Sequence, residues 1–231
     1  MPPEDPRSYI DLSWPIETGM TTFPGDPEVT VSRVSTVESD GFAVHSLCCG
    51  THTGTHIDAP SHVVPAGQDV TDRPVSDYVF ETQLVDVTPC SPREAIGPEQ
   101  LPDRIDDTVD LIVCRTGWDT RWDTPEYVDH PYLTADAARL LRAAGCGLGV
   151  DTLNPDPTPQ GDDPSATDGT EADRFPVHHT LLGAELPIIE NLTGLDALPE
   201  RWTFYAFPLP IVGGDGAPIR AVAAVPSETT S

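Results

Sequence analysis

Three imidazoles and a carboxylate fall within eleven residues in the run His52-Thr53-Gly54-Thr55-His56-Ile57-Asp58-Ala59-Pro60-Ser61-His62, although the whole chain holds only seven histidines. Any one of these residues alone reads as a hydrogen-bonded core histidine or a solvated aspartate. Four together ask for a common partner. Imidazole plus carboxylate without thiolate is the donor set of catalytic zinc, and it also suits manganese or iron. Cys48 and Cys49 stand close by but outside the pattern. The chain shows no HExxH pair, which sets the arrangement apart from the zinc-protease helix.

Local sequence also says how the four side chains are to converge. Thr53, Gly54, Thr55 and Pro60 all disfavour a helix interior, so an extended or looped segment is expected. Side chains alternate along such a segment, which puts positions 52, 56, 58 and 62 on one side. A straight strand would hold His52 and His62 roughly 33 Å apart. Bends are therefore expected at Gly54 and Pro60. Far downstream, Glu190 ends the apolar run Leu186-Pro187-Ile188-Ile189, where a carboxylate is costly to bury unless a cation neutralises it. His178 and His179 lie upstream of it and are equivalent candidates by residue type, whereas His45 and His130 read as ordinary structural or surface histidines.

The elements that must position these groups are mostly strands. Segments rich in β-branched residues and bounded by Gly, Pro or Asp predict strands at 28–37, 43–49, 81–87, 109–115, 147–151, 186–190, 202–208 and 219–225. The clearest helix spans 134–144, with Thr134 as N-cap and Gly145 as its stop. Shorter helical turns are expected near 98–105 and 178–184. Consecutive strands mixed with strand-helix-strand units predict an α/β fold with a mixed sheet, strand-rich and organised as a single domain over 1–231. Residues 154–174, with four Pro and two Gly, read as a solvated insertion, although their place just before His178 also suits a lid.

Composition narrows the partners. There are 38 acidic residues against 12 basic ones, every one of them Arg, for a net charge of −26. Such a surface repels phosphate backbones, so neither nucleic acid nor an anionic membrane is expected as a partner. It suits a folded protein adapted to high salt, where counterions screen self-repulsion. Five cysteines without CxxC spacing read as thiols in a reducing cytoplasm. Met-Pro-Pro-Glu-Asp-Pro does not read as a secretory leader, and no apolar stretch approaches the roughly 20 residues needed to cross a bilayer.

The histidine run resembles the signature H-x-G-T-H-x-D-x-P-x-H of the cyclase-like metal hydrolase family, which includes bacterial kynurenine formamidases and isatin hydrolases. Every fixed position is matched. Phe23-Pro24-Gly25-Asp26-Pro27 is similar to that family's aromatic-Pro-Gly-Asp turn, and the spacing from His178 to Glu190 is similar to its second ligand segment, which selects His178 over His179. Residues 208–221 look like its C-terminal strand pair.

The resemblance implies a fold of the swivelling β/β/α type and two divalent metal ions, zinc first and manganese as the alternative. His52, His56 and Asp58 would hold one ion. Asp58 would bridge to the second, which His178 completes, while Glu190 touches both. His62 would be the catalytic proton-transfer residue. Phe23 would face an aromatic substrate where kynurenine formamidases usually carry Trp, keeping an apolar ring but losing area and the indole N–H. The implied partner is a small aryl or cyclic amide, and the implied assembly a homodimer or homotetramer. An arylformamidase acting on N-formylkynurenine leads these readings, an isatin-type amide hydrolase is the rival, and a non-catalytic metal-binding protein is the reading from another class.

Overall fold

The strand at the centre of the molecule already shows how the fold is layered. In Leu111–Arg115, Leu111 and Val113 enter one core while Ile112 and Cys114 enter another, so the sheet is covered on both faces. A strand buried on both sides has no polar face to show, which is why this segment reads as an unbroken apolar run.

The computed structural model describes residues 7–159 and 170–226. Residues 160–169 of the acidic stretch, on which the lid reading turns, lie outside the described residues. The chain begins with β1 (Arg7–Asp11), β2 (Thr30–Ser35), the single turn α1 (Val37–Asp40), β3 (Val44–Cys48) and β4 (His56–Asp58). It continues with β5 (Val79–Asp86), β6 (Ala95–Ile96), β7 (Leu111–Arg115), β8 (Tyr132–Leu133), α2 (Ala135–Ala144) and β9 (Gly147–Val150). Then come α3 (Glu171–Arg174), α4 (Pro176–Leu182), β10 (Ile188–Glu190), β11 (Arg201–Tyr205), β12 (Gly216–Pro218) and β13 (Val222–Pro226). No helix among the described residues is long and apolar enough to cross a membrane.

Nine strands form one mixed sheet in the order β1-β13-β11-β5-β7-β9-β10-β4-β12. The central strands β5, β7, β9 and β10 are parallel neighbours and the outer ones antiparallel. β12 lies at one edge and β13 next to the other, yet they are consecutive in the chain. Flat, they would stand about 34 Å apart at the usual strand spacing. The chain from Pro218 to Val222 reaches about 14 Å at most. The sheet must therefore curl until its ends meet, and three backbone bonds close the seam: Ile219 to Thr55 at 3.0 Å, Leu12 to Ala221 at 2.8 Å and Thr193 to Leu12 at 3.1 Å. Inside the curl lie Leu12, Ile57, Phe80, Leu111, Ile189 and Phe204. The outer face packs on Ala137, Ala138 and Leu141 of α2 and on Val177, Leu181 and Leu182 of α4.

The helix predicted over 134–144 is α2, capped by Thr134, whose hydroxyl accepts from the Ala137 N–H at 3.2 Å, and stopped by left-handed Gly145. Several predicted elements are shorter or displaced, among them the strands expected at 28–37, 186–190 and 202–208, observed at Thr30–Ser35, Ile188–Glu190 and Arg201–Tyr205. Within 98–105 only Pro98–Gln100 makes a helical turn. The strand expected at 219–225 begins at Val222, because residues 219–221 carry the crossover between the two edges. The hairpin β2–β3 forms a sheet of its own, with Val34, Phe42, Val44 and Leu47 exposed.

One buried titratable group ties this fold to pH. His130 is 1% exposed and is bonded through its two ring nitrogens to Pro131 O and Thr158 Oγ1, both at 2.8 Å. Burial lowers its pKa from 6.5 to about 4. The unfolded chain therefore binds more protons between these values. Stability contributed by neutral His130 is present above about pH 6.5 and lost as pH falls towards 4, on the order of 3 kcal/mol in all. Urea unfolding at several pH values should show the wild-type midpoint falling more steeply over this window than that of His130→Gln. Parallel curves would remove His130 from the account.

Candidate metal centre

β4 is hydrogen-bonded on both sides, to β10 and to β12, and its register fixes what faces what. His56 stands opposite Glu190, Ile57 opposite Ile189, and Asp58 opposite Ile188. Ile57 and Ile189 turn into the curled core, so His56, Asp58 and Glu190 share the other face, beneath His178 of α4. Asp58 Oδ1 lies 2.8 Å from His52 Nδ1 and 3.3 Å from His56 Nε2, while its Oδ2 lies 3.5 Å from His178 Nε2. Glu190 divides its oxygens the same way: Oε2 is 3.2 Å from His56 Nε2 and Oε1 is 3.2 Å from His178 Nε2. Each carboxylate thus offers one oxygen to either side of the cluster.

The bends that gather these groups occur at Gly54 and Pro60. Gly54 adopts φ +60°, a left-handed conformation that other residues enter at a cost. Pro60 opens the one-turn 3-10 helix Pro60–His62, its fixed φ suited to that first position. The turn folds His62 back over His52, with ring centroids 4.0 Å apart. Thr55 serves as a fastener: its hydroxyl donates to Asn191 O at 2.7 Å and accepts from Trp14 N–H at 3.0 Å. Asn191, at φ +57°, turns the chain immediately after Glu190. Gly216 of β12 leaves the space in which the His52 ring sits.

The donor set fits a cation. Asp58 is 2% exposed and Glu190 5%, and an uncompensated buried carboxylate is expensive. His56 Nδ1 donates to Gly54 O at 2.8 Å, so in the neutral ring the Nε2 lone pair points at carboxylate oxygens. His56 Nε2, Asp58 Oδ2 and Glu190 Oε1 are buried without a hydrogen bond, despite these short separations. Only a proton or a cation between them relieves the repulsion. With protons alone, burial opposes the charged imidazoles, but the hydrogen bonds to Asp215 and Asp58 raise His52 to about 9, and Asp58 and Glu190 raise His56 to about 10. A metal ion held here would take the place of those protons, so its affinity would rise with pH.

An outer set of acceptors holds each ring. His56 is tied to Gly54 O, His178 Nδ1 to Asp156 Oδ2 at 2.7 Å, and His52 Nε2 to Asp215 Oδ2 at 3.1 Å. Each tie turns the opposite nitrogen towards the carboxylate pair. Asp156 also accepts from the N–H groups of Val177 and His178 at 2.9 and 3.0 Å, satisfying the first turn of α4.

Asp156 and Asp215 do not emerge from sequence reasoning. Asp156 falls in the stretch 154–174 read as a solvated insertion, and that reading is corrected for its first residues: Asn154 and Asp156 are buried, and α3 occupies its end. Asn154 followed by Asp156 was the available signal, since the Asn154 side chain caps the Asp156 N–H at 2.8 Å in an Asx-type turn.

A cavity of about 540 Å³ opens over the cluster, lined by His52, His56, His62, His178 and Glu190 together with Phe23, Ser61, Phe175 and His179. Phe23 meets Phe175 edge-on, with centroids 6.4 Å apart. His179, next to His178, lines the cavity and stands apart from the carboxylate pair. His45 lies on the exposed strand β3.

Residues 10–157 match the family described as "Putative cyclase". The kynurenine formamidase of Salinibacter ruber is 31% identical over 221 residues, covering 93% of this chain and 96% of its own. That of Bacillus anthracis is 33% identical over 217 residues with the same coverage. An isatin hydrolase bound to the product analogue thioisatinate superposes with a TM-score of 0.81 at 25% identity, covering 96% of this chain and 93% of its own. A structure described as a potential metal-dependent hydrolase with cyclase activity gives 0.72 at 28% identity, covering 94% and 98%.

The seat of His52 can be tested directly. A Cβ on Gly216 would lie 2.6 Å from His52 Cε1 and 3.0 Å from Ile57 O, so Gly216→Ala must displace the ring. After dialysis the variant should retain fewer divalent ions per chain than wild type, with far-UV circular dichroism unchanged. Full retention would show that His52 is not needed where it sits.

Proposed function

The chain belongs to the putative cyclase family, and we propose that it is a metal-dependent hydrolase of amide C–N bonds, an arylformamidase converting N-formylkynurenine to kynurenine and formate. The observation that carries this reading is the pair of buried carboxylates, Asp58 and Glu190, each dividing its oxygens between two sets of imidazoles at the floor of a cavity of substrate size. His52, His56 and Asp58 would hold one ion, Asp58 and His178 the other, and Glu190 would touch both. Zinc is the first choice and manganese the second, since this donor set serves both. When bound, such ions polarise a carbonyl and lower the pKa of water towards neutrality.

The chain's own residues do the rest. His62 stands at the cavity mouth, partly exposed, where its ring can take a proton from the attacking water and return it to the leaving nitrogen. Water and the formamide then give formate and the free amine. Phe23 and Phe175 offer an aromatic wall to the substrate ring. The likeness to an isatin hydrolase keeps a cyclic amide as the second reading, and turnover of the two compounds separates them.

A cytoplasmic, high-salt setting and a homodimer or homotetramer belong to the same proposal. The acidic surface and the apolar residues exposed on the β2–β3 hairpin support them.

Reconstituted with Zn²⁺ or Mn²⁺ in high salt, the protein should hydrolyse N-formylkynurenine and lose that activity to a chelator. His62→Ala should keep near-normal metal while turnover falls about 10²- to 10⁴-fold, the usual range for a lost general acid or base. His56→Ala should lose metal. If both variants lose metal equally, His62 is a ligand and another group carries the proton.

A further inference from the structure

Asp215 is not among the residues assigned to ions or to proton transfer, yet it touches both sets. It lies on the turn entering β12, and two backbone bonds hold that turn: Ala59 N–H to Asp215 O at 2.9 Å and Val70 N–H to Gly214 O at 3.0 Å. The first anchors it to the residue between Asp58 and Pro60. Thr51 Oγ1 donates to Asp215 Oδ1 at 2.8 Å, which fixes the rotation of the carboxylate. The other oxygen, Oδ2, then faces two imidazoles at once, His52 Nε2 at 3.1 Å and His62 Nδ1 at 3.2 Å.

A carboxylate only accepts, so both of these ring nitrogens must carry their hydrogens. A neutral imidazole has one N–H. The lone pairs are therefore on His52 Nδ1, which faces Asp58, and on His62 Nε2, which is left for the cavity that the ring lines. His62 needs such a tether. It sits in a single helical turn with about a third of its side chain exposed, and only a held ring presents one nitrogen steadily to a substrate.

We propose that Asp215 is a positioning residue that ties the proton-transfer histidine to a metal-facing histidine through one shared oxygen. Binding of the ion and orientation of the base are then set by the same carboxylate. The proposal rests on the hydrolase reading of this site. It predicts a dependence that runs through His62, beyond any effect on His52.

The test is Asp215→Asn, which keeps the shape but has one acceptor oxygen to serve Thr51, His52 and His62. With zinc saturating, kcat on N-formylkynurenine should fall about 10- to 100-fold, the usual cost of removing such an outer partner, with KM little changed. In a His62→Ala background the same substitution should change kcat by less than about threefold, because the ring it positions is gone. Equal losses in both backgrounds would overturn the proposal. A second readout needs no turnover. ¹⁵N NMR of the histidine rings in the zinc-reconstituted chain at about pH 8 should show His62 protonated on Nδ1 in wild type and a tautomer mixture in Asp215→Asn. An unchanged tautomer would also overturn the tether. If the chain hydrolyses no formamide while the tautomer still depends on Asp215, the hydrolase reading fails and the tether stands.

Discussion

Two carboxylates, Asp58 and Glu190, are buried on one face of adjacent strands, beside each other and within 3.5 Å of imidazole nitrogens. In a medium of low dielectric constant each ionised carboxylate costs several kcal/mol, and a pair of like charges adds repulsion to that. This constraint organises the surroundings. β4 must lie between β10 and β12 so that His56 and Glu190 stand opposite each other, with Gly216 leaving room for His52. The first turn of α4 must point at the pair, which Asp156 arranges by binding both the helix N–H groups and the His178 ring. The curl of the sheet follows from the same need, because β12 can flank β4 only if the edges meet.

How much of this can be read from the sequence depends on how local the interactions are. His52, His56, Asp58 and His62 stand out because they are close in the chain, and Gly54 and Pro60 between them carry the two bends. Glu190 is legible because a charge ends an apolar run, whereas choosing His178 over His179 takes the family spacing. Asp156 and Asp215 are two acids among 38; the Asx-type turn at Asn154 marks a local cap before Asp156 but not its burial, and nothing beside Asp215 distinguishes a buried acceptor from a solvated one. Their roles exist only after the fold has brought residues 22 and 153 positions away into contact. Strands of three residues, such as β4 and β12, are also too short for an alternating pattern to declare itself. The seam is absent from any local pattern, being set by chain reach.

The charge of the whole molecule and that of the site act in the same direction. A net charge of −26 raises the local concentration of cations around the protein, which would favour loading a metal site. At the centre itself the three imidazoles are each held by an outer acceptor, Asp215, Gly54 O or Asp156. Surface and interior are thereby reconciled: the acids outside remain hydrated, and Asp58 and Glu190 inside are paired with imidazoles.

The most direct test of this account is the number of divalent ions that the purified, full-length chain retains after exhaustive dialysis, measured by elemental analysis against protein concentration. Two ions per chain are expected, because both carboxylates offer an oxygen to each side of the cluster. A folded, stable chain retaining none would contradict the claim that cations compensate the buried carboxylates.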